Sequence, residues 1–200
     1  MGRTVDHEAR RRTVVDRSME LFARMGYAKV SFLTISEATG VARTALYRYF
    51  KTKRDIFDAV IHENTHRIKT RGAEIVKGGG TAAERLVGVA RLVIETLHAR
   101  KPFLLAIFDY VITMVRTGED MSGKVDRFTR GLREIFLLLL RQGKEAGEMP
   151  AVLDEKAAAD VLFSLIEAVA LRILLGTDAG GVAADVRQFE AAVRSVSARG

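Results

Sequence analysis

The chain has no cysteine among its 200 residues, which excludes disulfide staples and thiolate chemistry. No charged-then-apolar leader follows Met1, so secretion is not expected and the cytoplasm is the expected location. Prolines number only two, Pro102 and Pro150, and no segment alternates apolar and polar residues as a half-buried strand would. Apolar runs are short: residues 103–115 and 135–140 fall below the roughly 20 residues of a membrane span, and Asp109 interrupts the first, so no membrane association is expected. The chain offers no nucleophile beside a base, no carboxylate–histidine metal motif and no glycine-rich loop after a strand; neither an enzyme nor a cofactor is expected. Gly78, Gly79 and Gly80 read as an interhelical loop. His62 and His66 lie one helical turn apart, a spacing that can hold a metal, but they lie away from the apolar face marked by Phe57, Ile61 and Ile68 and have no third ligand. They read as a solvated face, and no metal is expected.

What is present is helix-forming and basic. With 48% hydrophobic residues, the chain can bury a real core, as one compact body or two small ones. The formal net charge is +7, and its placement says more than its size. Residues 1–71 hold 15 lysines and arginines against 8 acids, whereas residues 72–200 hold 17 against 17. The whole surplus therefore lies in the first third, where a polyanionic partner would be met.

Apolar residues recur at helical spacing nearly everywhere, which predicts an all-α protein of about nine helices. The first runs from His7 to Met25, with Val14, Val15, Met19, Leu21 and Phe22 inward and Gly26 as its C-terminal cap. Ser31 caps a short helix over residues 32–39, Gly40 breaks it, and another covers residues 43–50 before Thr52 caps a long helix toward Val76. Long helices are expected near 82–99, 102–117, 122–146, 155–176 and 182–198. Pro102 suits the first turn of its helix, while Gly147 and Pro150 stop the next.

Two short helices joined at Gly40, with Ile35, Ala38, Val41 and Leu46 placed to pack between them, make a helix-turn-helix. The second helix of such a unit enters the major groove. Arg43, Thr44, Ala45, Tyr47, Arg48 and Tyr49 are left for its outer face. Arginine can bond guanine bidentately, the Ala45 methyl can touch a thymine methyl, and tyrosine hydroxyls can reach phosphates.

The run Gly40-Val41-Ala42-Arg43-Thr44-Ala45-Leu46-Tyr47-Arg48-Tyr49-Phe50, followed by Lys51-Thr52-Lys53, resembles the signature of the TetR family of transcriptional regulators. Leu21-Phe22 and Gly26-Tyr27 resemble that family's first helix, and the likeness covers residues 14–57. It implies a three-helix DNA-binding domain over residues 1–52 and a helical ligand-binding and dimerisation domain over residues 53–200. Ser31, Arg43, Thr44, Ala45, Tyr47, Arg48, Tyr49 and Lys53 become the expected DNA-binding residues, with Tyr47 and Lys53 resembling the family's phosphate contacts. Three positions depart from the pattern. Ala42 replaces a serine, Leu33 stands where a polar or basic residue often touches the backbone, and Thr39 replaces a small alanine. The basic arm of Arg3, Arg10, Arg11 and Arg12 either adds phosphate or minor-groove contacts or is a solvated terminus.

The last two helices carry long apolar stripes, and in the resembled family the corresponding pair meets its symmetry mate in a four-helix bundle. Val161, Leu165, Val169, Val186, Phe189 and Val193 are the expected homodimer interface. A small-molecule site is expected among Thr96, Phe103, Phe108, Asp109, Tyr110, Met114, Phe128, Phe136, Phe163 and Glu167. Aromatics and methionine around two acids suit an apolar or cationic effector. The implied function is a repressor released from its DNA operator by that effector. The alternative is a DNA-bound scaffold, without an effector, whose C-terminal body binds a protein partner.

Overall fold

A computed structural model describes residues 2–198, with side chains from Glu8 on apart from that of Phe128. The arms of Arg3 and the expected ligand contact of Phe128 thus lie outside the described residues. Among the described residues every element is helical: α1 (Gly2–Met25), α2 (Phe32–Thr39), α3 (Arg43–Tyr49), α4 (Lys53–Lys77), α5 (Ala82–Ala99), α6 (Lys101–Arg116), α7 (Ser122–Glu145), α8 (Glu155–Leu175) and α9 (Gly181–Ser197). These follow the expected sequence of helices, except that α1 begins at Gly2 instead of His7. No proline interrupts that arm, and Glu8 and Arg12 pair one turn apart at 3.8 Å, which favours helix there.

The helix ends have local causes. Gly26, Gly40 and Gly176 take φ of 77°, 68° and 70°, the left-handed conformation that closes a helix and that side chains with a Cβ disfavour. Thr81 and Glu84 form a reciprocal capping box at the start of α5, so the three-glycine stretch is a linker that ends at a well-capped helix. Thr52 accepts from the Asp55 amide at 3.1 Å while the Asp55 carboxylate accepts from the Lys51 and Thr52 amides at 3.0 and 2.9 Å. That carboxylate fixes the entry to α4. Among the described residues no helix is long and apolar enough to cross a membrane.

Packing divides the chain into two compact units. One comprises the chain up to His66 together with Pro102–Gly123; the other comprises Arg67–Lys101 and the chain from Lys124 on. The expected cut at residue 52 does not coincide with these units: α4 runs through both, and α6 belongs with the helix-turn-helix.

In the first unit α6 is held by an aromatic cluster. Phe57 meets Phe22 at 4.7 Å, Tyr27 at 5.0 Å, Tyr110 at 4.8 Å and Phe103 at 6.2 Å between ring centroids. Edge-to-face aromatic pairs of this kind add about 0.5–1.5 kcal/mol each beyond area burial. In the second unit α5 packs on α8 and α9. Their polar tie is Asp185, which is buried, accepts from Arg172 at 2.5 Å and faces His98 Nε2 at 2.8 Å. A buried carboxylate needs such partners.

Candidate nucleic-acid interface

The helix-turn-helix is assembled from a small core and several side-chain ties. Ile35 on α2 and Leu46 on α3 are fully buried, Val41 is half-buried, and Ala38 lies exposed on α2. Ala38 is thus not part of the packing between the two helices, contrary to expectation; the eight-residue α2 turns it outward while Ile35 faces in. The turn is held by polar side chains. Ser36 donates to the Val41 carbonyl at 2.8 Å, and Thr39 donates to the Ile35 carbonyl at 2.7 Å while accepting from the Val41 amide at 3.3 Å. The departure at Thr39 is therefore accommodated, since its hydroxyl gives one amide beyond the helix end a partner.

On α3 the residues Arg43, Thr44, Tyr47 and Arg48 are exposed, and Ala45 and Tyr49 are half-exposed. Tyr47, 50% exposed, does not stand alone. Its ring stacks on Phe32 with centroids 4.6 Å apart and planes 7° from parallel, which restricts the directions its hydroxyl can take. Neither composition nor spacing marks Phe32 for this task, because the pairing depends on how α2 crosses α3. Ser31 caps α2 through its contacts with Thr34, and Leu33 is exposed beside it. At the start of α3, Ala42 provides no side-chain cap. Arg11 of the basic arm lies over the Phe50 ring at 5.3 Å, which places a guanidinium next to the turn between α3 and α4.

Lys53 has a different surrounding from the open phosphate contact expected of it. Its amine donates to the Tyr27 and Ala28 carbonyls at 2.8 and 3.3 Å and stands 4.2 Å from the Tyr27 ring centre. Burial lowers its pKa from the ordinary lysine value, and the charge of Asp109 opposes that shift. The side chain is turned to the α1–α2 turn because that turn presents two carbonyls and an aromatic face to the first residue of α4.

The residues expected to hold a ligand separate between the two units. Phe103, Tyr110 and Met114 are buried in the unit that contains the helix-turn-helix. Tyr110 donates to Asp58 at 3.1 Å, and burial beside that carboxylate raises its pKa well above the ordinary tyrosine value. Arg54 meets the Met114 sulfur at 2.7 Å and Glu119 at 2.8 Å. Asp109 accepts the Ala28 amide at 2.9 Å, and Phe108 is half-buried. Thr96, Phe136, Phe163 and Glu167 lie in the other unit. Thr96 donates to the Leu92 carbonyl, Phe136 packs on Phe189 at 5.4 Å, Phe163 lies under Arg133 at 4.4 Å, and Glu167 is exposed. Periodicity alone does not show that α6 joins the first unit and leaves these other residues to the second.

A similar sorting applies to the expected dimer interface. Val169, Val186, Phe189 and Val193 are buried within the single chain, Leu165 is half-buried, and Val161 is 58% exposed. The apolar groups that α8 leaves open are Val161 with Leu171 and Leu175, 49% and 65% exposed. A stripe in sequence does not reveal which of its sides the neighbouring helices cover. His62 and His66 are exposed with parallel rings 6.4 Å apart, and among the described residues no group of three metal-ligating side chains forms.

A short helix with a basic and aromatic outer face, tied through a glycine turn to a preceding helix and backed by a bundle, defines a helix-turn-helix DNA-binding regulator. Known proteins carry the same pattern. Residues 14–60 match the model for bacterial regulatory proteins of the tetR family. The fatty acid metabolism regulator protein of Bacillus subtilis is 28% identical over 160 residues, covering 77% of this chain and 78% of that protein. An HTH-type transcriptional repressor of Mycobacterium tuberculosis is 26% identical over 197 residues, covering 94% of this chain and 96% of that one. The crystal structure of the transcriptional regulator FadR from Bacillus subtilis in complex with stearoyl-CoA superposes with a TM-score of 0.74 at 23% identity, over 94% of this chain and 98% of that one. Over residues 14–60 the chain matches the tetR family of bacterial regulatory proteins, and the relatives it resembles along most of its length are transcriptional regulators.

Proposed function

We propose that the chain acts in the cytoplasm as a homodimeric repressor whose α3 helices bind two operator half-sites and whose C-terminal part binds a small-molecule effector that releases the DNA. The observation that carries this reading is the exposed face of Arg43, Thr44, Tyr47 and Arg48 on α3, in the part of the chain that holds the entire positive surplus. Residues 1–52 serve the DNA and residues 53–200 serve dimerisation and the effector. Val161, Leu171 and Leu175 on the open side of α8 support a four-helix dimer contact, because such a row of exposed aliphatics is unfavourable in water.

The relatives support an effector with a long apolar part, since the Bacillus subtilis regulator was captured with stearoyl-CoA. Phe163 and Glu167, with Thr96 and Phe136 in the same unit, are the proposed contacts. Release then requires the effector to favour the conformation that binds DNA less well.

The test is a titration of the protein against DNA upstream of its own gene at several salt concentrations, comparing wild type with Tyr47→Ala and Arg48→Ala. A discrete complex with a steep salt dependence, weakened by both substitutions and dissociated by stearoyl-CoA, is expected. Weak binding indifferent to both substitutions, with selection from random DNA also recovering no preferred duplex, would overturn the reading.

A further inference from the structure

The turn between α1 and α2 is held from two sides by side chains of opposite charge. From α4, Lys53 donates to the carbonyls of Tyr27 and Ala28 at 2.8 and 3.3 Å. From α6, Asp109 accepts the amide of Ala28 at 2.9 Å. Gly26 makes the second approach possible: at φ +77° a Cβ there would lie 3.1 Å from the same Asp109 oxygen. Both polar groups of Ala28's backbone are thereby assigned to side chains far away in sequence.

We propose that Asp109 is a positioning residue for operator binding: by holding the Ala28 amide it sets the α1–α2 turn and, through Lys53 at the start of α4, the placement of the recognition helix α3. The inference rests on the reading of the chain as a DNA-binding regulator. Aromatic contacts hold α6 to this unit, but apolar packing is weakly directional. The hydrogen bond to Ala28 is directional. Turning α6 by one residue moves a side chain about 100° around the axis and 1.5 Å along it, which separates carboxylate from amide. Lys53 extends the tie, because only Phe50, Lys51 and Thr52 separate it from the end of α3 at Tyr49. The first turn of α6, at Lys101/Pro102, is also where the chain leaves the second unit, which it re-enters at Gly123/Lys124 in the first turn of α7.

The full-length protein and an operator duplex recovered by selection with the wild type provide the test. Three variants, Asp109→Ala, Asp109→Asn and Asp109→Glu, are compared by operator affinity, helical content and the exchange rate of the Ala28 amide. Asp109→Ala is expected to keep its helical content, to bind the operator about tenfold more weakly and to speed Ala28 exchange by a similar factor, the loss of one charge-assisted hydrogen bond. Asp109→Asn keeps an acceptor of the same length and is expected to stay within about threefold of wild type in both measurements. Asp109→Glu keeps the charge but displaces it by a methylene, and is expected to behave as the alanine variant. Should the alanine variant fail to fold, the asparagine and glutamate variants carry the comparison. Fast Ala28 exchange with unchanged operator affinity overturns the proposal, as does wild-type binding by Asp109→Glu. Failure of the wild type to select any duplex sinks the regulator reading itself, and the proposal with it.

Discussion

Replacing Ala42 with serine should stabilise the recognition helix. Ala42 is the N-cap of the seven-residue α3, with φ −54° and ψ 141° and no side-chain cap hydrogen bond. Its carbonyl already accepts from the Ala45 and Leu46 amides at 2.8 and 3.0 Å, so the backbone is in place and only the side-chain acceptor is lacking. The residue is exposed, and a hydroxyl adds no steric conflict with a core. A serine at an N-cap is worth about 1 kcal/mol relative to alanine. Such a short helix has little intrinsic stability, so the gain should appear as reduced local opening. About 1 kcal/mol corresponds to roughly fivefold slower amide exchange at Leu46 and Phe50, if these open with the helix and not with the whole unit. If they open only globally, the same gain raises the melting temperature by about 2–4 °C. Unchanged exchange together with an unchanged melting temperature would show that α3 is not limited by its missing cap.

Three further outcomes are expected. Phe32→Ala should weaken operator binding by roughly threefold to tenfold, because it removes the stack that orients Tyr47, worth about 0.5–1.5 kcal/mol. In a double-mutant cycle it should add little once Tyr47→Ala is present, and full additivity would contradict the orienting role. Ser18 is fully buried on α1 and its hydroxyl has no hydrogen-bond partner among the described residues. Ser18→Ala should therefore raise stability against urea by about 1 kcal/mol, and a lower denaturation midpoint would refute this. Leu171→Asp with Leu175→Asp should shift a dimer to monomers in light scattering while helical content is kept. Val193→Asp should instead unfold the second unit, since Val193 is buried within the chain; a dimer indifferent to the first pair would place the interface elsewhere.

Much of the molecule is legible along the chain because its signals are local. Helix ends depend on residues a few positions apart, so Gly26, Ser31, Gly40 and Thr52 mark their boundaries without help from distant contacts. The motif from Gly40 to Lys53 is equally local: helical spacing alone brings Leu46 to one side and Arg43, Tyr47 and Arg48 to another. Partners distant in sequence were not legible in this way. That Phe32 supports Tyr47, that Lys53 turns to the α1–α2 turn, and that Val193 faces inward while Leu171 faces out are decisions of packing. The same holds for α6, whose run of Phe103, Asp109, Tyr110 and Met114 reads equally well as pocket or as core. Composition and periodicity determined an all-helical chain with a basic first third, and the resemblance of the Gly40–Lys53 motif implied its recognition helix and its role as a regulator. Only the tertiary structure decided that α6 belongs to the DNA-binding unit, because Tyr110 and Asp109 meet Phe57, Asp58 and Ala28 at sequence separations over which helical period carries no information.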